Sequence, residues 1–311
     1  MTIRASLLLL LGLFSSIGSV VAAPGQELIA DREFRLGFIL WEPKPGRHVR
    51  YGELTTGMAK PVWGLSQWSS RFPLKAAEAF KSADGSLTCS NLAKLLQFGA
   101  GTTNPVLVLA ADSSIEYGLP ARNAKDPWVH LLVEQEFAES PPLPELAEAR
   151  FRVEARLARS QNQHRDDYSP DRHAAQFQIF FTVQNRNRQS AGFGDLLWFG
   201  VPVYDNRDRF PKEFKARDFG GTAKFIFTSS GETYAKVSAH DGNWITLERD
   251  LLPLMREALE TAWKRGFLAA SKNPADYRIG GMNMGWELPG SFDVEMQVRG
   301  LSLKVIPRVN P

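Results

Sequence analysis

The chain has 311 residues, with 37 Lys and Arg against 34 Asp and Glu, a formal charge of +3, and one cysteine. Charges of both signs are interspersed, so no basic patch that could neutralise phosphates is present, and nucleic acid is not an expected partner. A lone cysteine cannot bridge internally, so a large apolar core must carry the fold. Cys89, in Leu87-Thr88-Cys89-Ser90, reads as a small buried apolar residue without a chemical role.

At the start of the chain, Arg4 precedes an apolar run from Leu7 to Phe14, and Val20, Val21, Ala22 and Ala23 suit signal peptidase. This pattern predicts a cleavable export signal over 1–23, a single domain over 24–311, and a periplasmic or secreted location. Ser15, Ser16, Gly18 and Ser19 break the apolar run, which falls short of the about 20 residues a membrane anchor needs. No later stretch is long and apolar enough to span a bilayer, so no integral membrane segment is expected after cleavage. The roughly 290 residues that follow are enough to bury about three quarters of the unfolded surface.

Along the mature chain, apolar residues mostly recur with period two, the signature of half-buried strands. The stretch 128–137 sets Val129, Leu131, Val133 and Phe137 on one face and Trp128, His130, Leu132, Glu134 and Glu136 on the other. A strand over 150–158 has a charged outer face. In 176–184 the core set is Phe177, Ile179, Phe181 and Val183, opposite Gln176, Gln178, Phe180, Thr182 and Gln184. The stretch 195–205 buries Leu197, Phe199, Val201 and Val203, leaving Leu196, Trp198, Gly200, Pro202 and Tyr204 outside. Ser140-Pro141-Pro142-Leu143-Pro144 reads as a connection, and a short helix or loop is expected around 75–81.

A helix is predicted over about 250–265, with Asp250 as N-cap, Pro253 in the first turn and Gly266 as the stop. Leu251, Leu254, Met255, Ala258, Leu259 and Ala262 form its apolar stripe, which would lie on the outside or edge of a sheet. Next, 277–288 places Met282, Met284, Trp286 and Leu288 in the core, with Tyr277, Ile279, Gly281, Asn283, Gly285 and Glu287 opposite. The stretch 292–299 closes the series with Phe292, Val294, Met296 and Val298 inward. The expected class is therefore all-β: a jelly-roll-type, two-sheet antiparallel sandwich with one helix.

The non-core faces mix flat rings, planar amides and carboxylates. Sugars offer apolar C–H faces to rings and paired hydroxyls to amides and carboxylates. Trp128, Trp198 and Tyr204 are the candidate stacking groups, with His130, Gln176, Gln178 and Asn283 as hydrogen-bonding partners on a concave sheet. Glu134, Glu136 and Glu287 are candidate carboxylates, either as hydrogen-bonding groups or as a hydrolytic pair, since glycoside hydrolysis needs two carboxylates flanking the bond. The expected partner is a poly- or oligosaccharide. A glycoside hydrolase on the same face and a non-catalytic envelope scaffold are the alternatives. No cofactor and no metal are expected. Asp205, Asn206 and Asp208 supply oxygen ligands that a structural calcium could use, and His164 and His173 flank a polar loop with Asp166, Asp167 and Asp171, without a recognised ligand spacing.

This outline resembles the concanavalin A-like lectin and glucanase superfold over most of the mature chain. The resemblance implies a curved sheet carrying a glycan groove. One glucanase family of that fold carries Glu-x-Asp-x-x-Glu or Glu-x-Asp-x-Glu on a strand; the nearest string here is Ser291-Phe292-Asp293-Val294-Glu295, with Ser291 at the nucleophile position. Alginate lyases of the fold carry Gln-Ile-His or Gln-Val-His, whereas this chain has Gln178-Ile179-Phe180. Both departures argue against those two mechanisms.

Overall fold

The computed structural model describes residues 25–99, 105–118, 122–123, 125–219 and 221–308, so the predicted export signal lies outside the described residues. No described helix is long and apolar enough to cross a membrane.

The alternating segments assemble into two sheets packed face to face. The nine-stranded sheet runs, in spatial order, Phe214–Arg217, Phe225–Thr228, Leu196–Asp205, Gln176–Asn185, Tyr277–Leu288, Val129–Glu136, Trp63–Ser66, Gly37–Trp41 and Arg50–Thr55. The second sheet runs Ile245–Asp250, Leu146–Asn162, Phe292–Pro307, Leu107–Asp112, Lys94–Phe98, Leu87–Ser90 and Ala79–Lys81, with Gln26–Glu27 added beside Phe292–Pro307. The expected sandwich is thus present, with one difference: Gly37–Trp41 pairs parallel with Trp63–Ser66, and Leu196–Asp205 pairs parallel with Phe225–Thr228. In each case the strand next to an edge enters beside its neighbour without a hairpin, so the sheet is mixed rather than purely antiparallel.

The core fills the space between the sheets. Trp286 and Phe181 of one sheet and Phe151 and Leu303 of the other are all at most 1% exposed, and burying each such side chain contributes about 1.5–3 kcal/mol. Direct bonds also cross the gap: the Trp286 indole donates to Leu109 O at 2.9 Å, and Tyr204 Oη to Ser160 Oγ at 2.8 Å.

The helix forms at Leu252–Lys264. Asp250 still works at its start, its Oδ1 accepting from the backbone N–H of Leu252 and of Ala149, and Gly266 ends it at φ +81°. Its buried stripe, Leu252, Met255, Ala258, Leu259 and Ala262, contacts Leu146–Asn162 of one sheet and Leu196–Asp205 of the other, so it closes an end of the sandwich rather than lying on one sheet. The region around 75–81 becomes a single 3-10 turn, Ala76–Glu78, followed by the short strand Ala79–Lys81. A second helix, Ser113–Tyr117, has no periodic signal because it is one turn long. Tertiary contacts hold it instead: its Glu116 is fully buried, bridges Lys94, and accepts from Ser70 Oγ and the Arg71 amide, both at 2.7 Å. Cys89 is buried, and desolvation pushes its thiol up to about 12, so it stays neutral as a core residue.

Candidate functional site

Cross-strand register converts the outer face of the nine-stranded sheet into rows, because residues directly opposite each other project to the same side. The first row runs from Trp68 through His130, Glu287 and Gln176 to Asp205. The second holds Ser66, Leu132, Gly285, Gln178 and Pro202. Gly64, Glu134, Asn283, Phe180, Gly200 and Thr228 form the third. The fourth is Glu136, Gly281, Thr182, Trp198 and Ile226. Sequence alternation therefore placed Trp128, His130, Glu134, Glu136, Gln176, Gln178, Trp198, Asn283 and Glu287 on one face.

Tyr204 is not on that face. Pairing passes from Phe177↔Tyr204 to Gln178↔Pro202, so Val203 is an extra residue and Tyr204 turns inward. It is 3% exposed, against Trp286 and His240, and cannot stack a ligand there. The same device acts at Gly280: pairing skips from Gly281 to Ile279, so Tyr277 and Ile279, expected outside, are core residues at 0% exposure.

At the first row, His130 lies between two indoles, Trp68 at 5.5 Å and Trp128 at 6.4 Å between ring centroids. Its Nδ1 lies 2.9 Å from Trp128 O, which assigns the proton to Nδ1 and leaves Nε2 an acceptor. Burial pushes the imidazole down to about 4, so it is neutral at physiological pH. Glu287, directly across the strand pair, is pushed up to about 7 by burial and then by the Asp218 charge. Both side chains keep some exposed surface, but surrounding protein prevents full hydration of either charge. Beside Glu287, Gln176 turns its amide to Asp205 at 2.7 Å. Asp205, despite burial, is held below the usual carboxylate range by the hydrogen bonds of Arg207.

Two glycines in the rows are required by close approach. A Cβ at Gly64 would lie 2.1 Å from the Trp41 indole nitrogen, and one at Gly200 would lie 2.2 Å from Thr228 Oγ1 and 2.9 Å from Phe180. Gly64 thus seats Trp41 on the sheet, where its ring meets His48 edge-on at 5.6 Å. His48 Nε2 in turn reaches Glu134 at 2.9 Å, which raises the imidazole's affinity for a proton. Trp41, Trp68 and His48 belong to this face but escaped the sequence reading, because their segments are short strands or loops with no long alternation. Trp198, stacked edge-on with Phe180, donates to Thr222 Oγ1 at 3.0 Å.

Eight buried side-chain polar atoms among the described residues lack a hydrogen-bond partner, and four of them lie on this one face: Trp41 Nε1, Ser66 Oγ, Trp68 Nε1 and Gln178 Oε1. An orphaned buried polar group costs about 1–3 kcal/mol. These four lie beside the partly exposed rings of Trp41, Trp68 and His130.

Of the candidate carboxylates, Glu134 and Glu136 stand two residues apart on the same face of one strand, whereas Glu287 is set apart from both. Glu287 faces His130, whereas Glu134 faces Asn283 four residues away along the same strand pair, about 13 Å at the strand rise. Glycosidase carboxyl groups stand about 5–9.5 Å apart. Several of the side chains considered for metals are engaged within the chain. Asn206 accepts from the Ala175 amide, Asp208 bridges Lys212, and His164 stacks on His173 at 4.0 Å while accepting from the Ser291 amide.

No family model matches the chain, and no curated protein matches it. Among solved structures it is similar to a thermostable cellulase derived from Cel12A of Rhodothermus marinus, at 12% identity and TM-score 0.40, covering 78% of this chain and 99% of that one. It is also similar to a family 11 xylanase from Neocallimastix patriciarum, at 8% and 0.36, covering 76% and 97%. A third is the xyloglucanase domain of NopAA from Sinorhizobium fredii in complex with cellobiose, at 10% and 0.35, covering 78% and 98%. The resemblance lies at the level of architecture, a two-sheet jelly-roll sandwich, and what the face can do follows from its own residues.

Proposed function

We propose that this protein binds an oligo- or polysaccharide across the outer face of the nine-stranded sheet. The observation that carries this reading is the band of orphaned polar atoms, Trp41 Nε1, Ser66 Oγ, Trp68 Nε1 and Gln178 Oε1, running between aromatic rings. Donors and an acceptor interleaved with flat rings match a ligand with hydroxyls at its edges and C–H faces above and below. Trp128, 41% exposed and two residues before His130, offers a stacking surface beside the first row. Export through residues 1–23 would place the protein where polysaccharides are met.

The test is titration of the purified protein with soluble oligosaccharides, read by tryptophan fluorescence. Saturable binding that weakens in Gln178→Ala and Trp128→Ala supports the assignment; saturable binding untouched by both places the ligand elsewhere.

A second reading, glycoside hydrolysis, is favoured by one observation: Glu287 holds a proton up to about pH 7, as a general acid must. A glycosidase needs a second carboxylate; the rows set Glu134 and Glu136 well along the strands from Glu287, and Asp205, in the same row, is held by Arg207. Binding without turnover is therefore the first expectation. Release of reducing sugar that disappears in Glu287→Gln would reverse the order.

A further inference from the structure

The charge of the rows defines the ligand further. Four carboxylates stand in them, Glu287, Asp205, Glu134 and Glu136, and no lysine or arginine does. One is neutralised locally, Asp205 by Arg207 at 2.6 Å, while Glu134 lies 2.9 Å from His48, which is a cation only when protonated. Among the described residues no cation is paired with Glu287. His130 from one neighbouring strand is neutral, Gln176 from the other is an amide already turned to Asp205, and Asp218, from the hairpin loop that follows Phe214–Arg217, adds a second negative charge. Independently of this charge, Gln178 in the adjacent row is 8% exposed, and its acceptor oxygen is unpartnered. That oxygen calls for a donor, which a ligand hydroxyl supplies.

We infer that this face takes an uncharged polyhydroxyl chain and excludes uronate- or sulfate-bearing glycans, with Glu287 as the group that discriminates. The inference rests on the glycan-binding reading above. An anionic sugar placed over the first row would stand against Glu287 and Asp218 in a poorly hydrated setting, with no basic side chain in the rows to answer it. Charge selectivity here is built from repulsion rather than from an added attractive contact. It should also depend on pH. When Glu287 is protonated the repulsion falls, and His48, whose proton affinity Glu134 raises, adds a positive charge in the same direction.

The experiment compares neutral and uronic-acid oligosaccharides of equal length by calorimetry at about pH 5 and about pH 8.5, in wild type, Glu287→Gln and Glu136→Gln. The expected result is at least about ten-fold weaker uronate binding at the higher pH, with the ratio to the neutral chain narrowing at the lower pH and in Glu287→Gln. Uronate binding as tight as neutral binding at pH 8.5 overturns the selectivity. A ratio that Glu287→Gln leaves unchanged but Glu136→Gln narrows overturns the assignment to Glu287. Silence toward every oligosaccharide, in protein that melts cooperatively, overturns the glycan reading itself.

Discussion

The two sheets turn contrasting faces outward. On the eight-stranded sheet, charges answer one another: Arg152 reaches Glu154 at 2.5 Å, Arg299 reaches the same carboxylate at 2.7 Å, and Arg159 meets Asp112 at 2.5 Å. Arg156 and Arg299 also pack against Trp244, with guanidinium carbons 5.4 and 4.1 Å from the ring centre. The charged groups named there find partners within the chain, although Arg156 Nε is buried without a hydrogen bond. On the nine-stranded sheet, indole nitrogens, a hydroxyl and an amide oxygen are left without one, and Glu287 sits among rings and amides. Rings and polar groups occur on both faces, so composition does not separate them. What separates them is how many buried polar groups go unsatisfied, four on the nine-stranded face, and the proposed ligand would answer that difference.

The contrast breaks most directly at the rings. Trp68→Ala and Trp128→Ala should each weaken saccharide binding by about 10- to 100-fold, the loss of one stacking contact worth about 1–3 kcal/mol. Trp244→Ala, on the other sheet, should leave the titration curve in place. Equal losses from both sheets would mean that the two faces do not differ in function.

Gly64→Ala comes next. Its Cβ would lie 2.1 Å from the Trp41 indole nitrogen, so the ring must leave its seat, at a cost of about 1–3 kcal/mol in stability. A denaturant midpoint matching wild type would show that Trp41 does not occupy that seat in solution.

Glu287→Gln sharpens the electrostatic side. The folded protein holds this carboxyl at about 7, above the ordinary 4.5, so between those values the folded state binds more protons than the unfolded one and stability falls as pH rises. The amide removes this penalty. The variant should melt a few degrees higher than wild type at about pH 8 and at the same temperature at about pH 4. A difference of the opposite sign would mean that Glu287 is stabilised as an anion.

The smallest effect is expected at Arg159→Ala, which breaks a partly exposed pair with Asp112 worth less than about 1 kcal/mol. Saccharide affinity should be unchanged; thermal unfolding checks the first statement and titration calorimetry the second.

Much of the face was legible before any coordinates. Along 128–137 and 176–184, alternation alone separated His130, Glu134, Glu136, Gln176 and Gln178 from the core, because a strand has only two sides. It failed at Tyr204 and at Tyr277 and Ile279, where an extra residue, Val203 or Gly280, interrupts the pairing and flips everything beyond it. Nothing local marks those insertions, since each is defined by what the partner strand does. Trp41, Trp68 and His48 were missed for another reason: they enter the site from short segments whose position depends on neighbours distant in sequence.

A two-sheet sandwich, its inward side chains and its terminal helix follow from periodicity, since burial of one face per element leaves few other solutions. Which carboxylates meet was decided by register between strands separated by up to about 150 residues, as between Val129–Glu136 and Tyr277–Leu288. That register set Glu287 beside a neutral imidazole and an amide, and away from Glu134 and Glu136. It also left Gln178 without a partner, because hydrogen-bond satisfaction depends on every neighbour at once and local sequence specifies none of them.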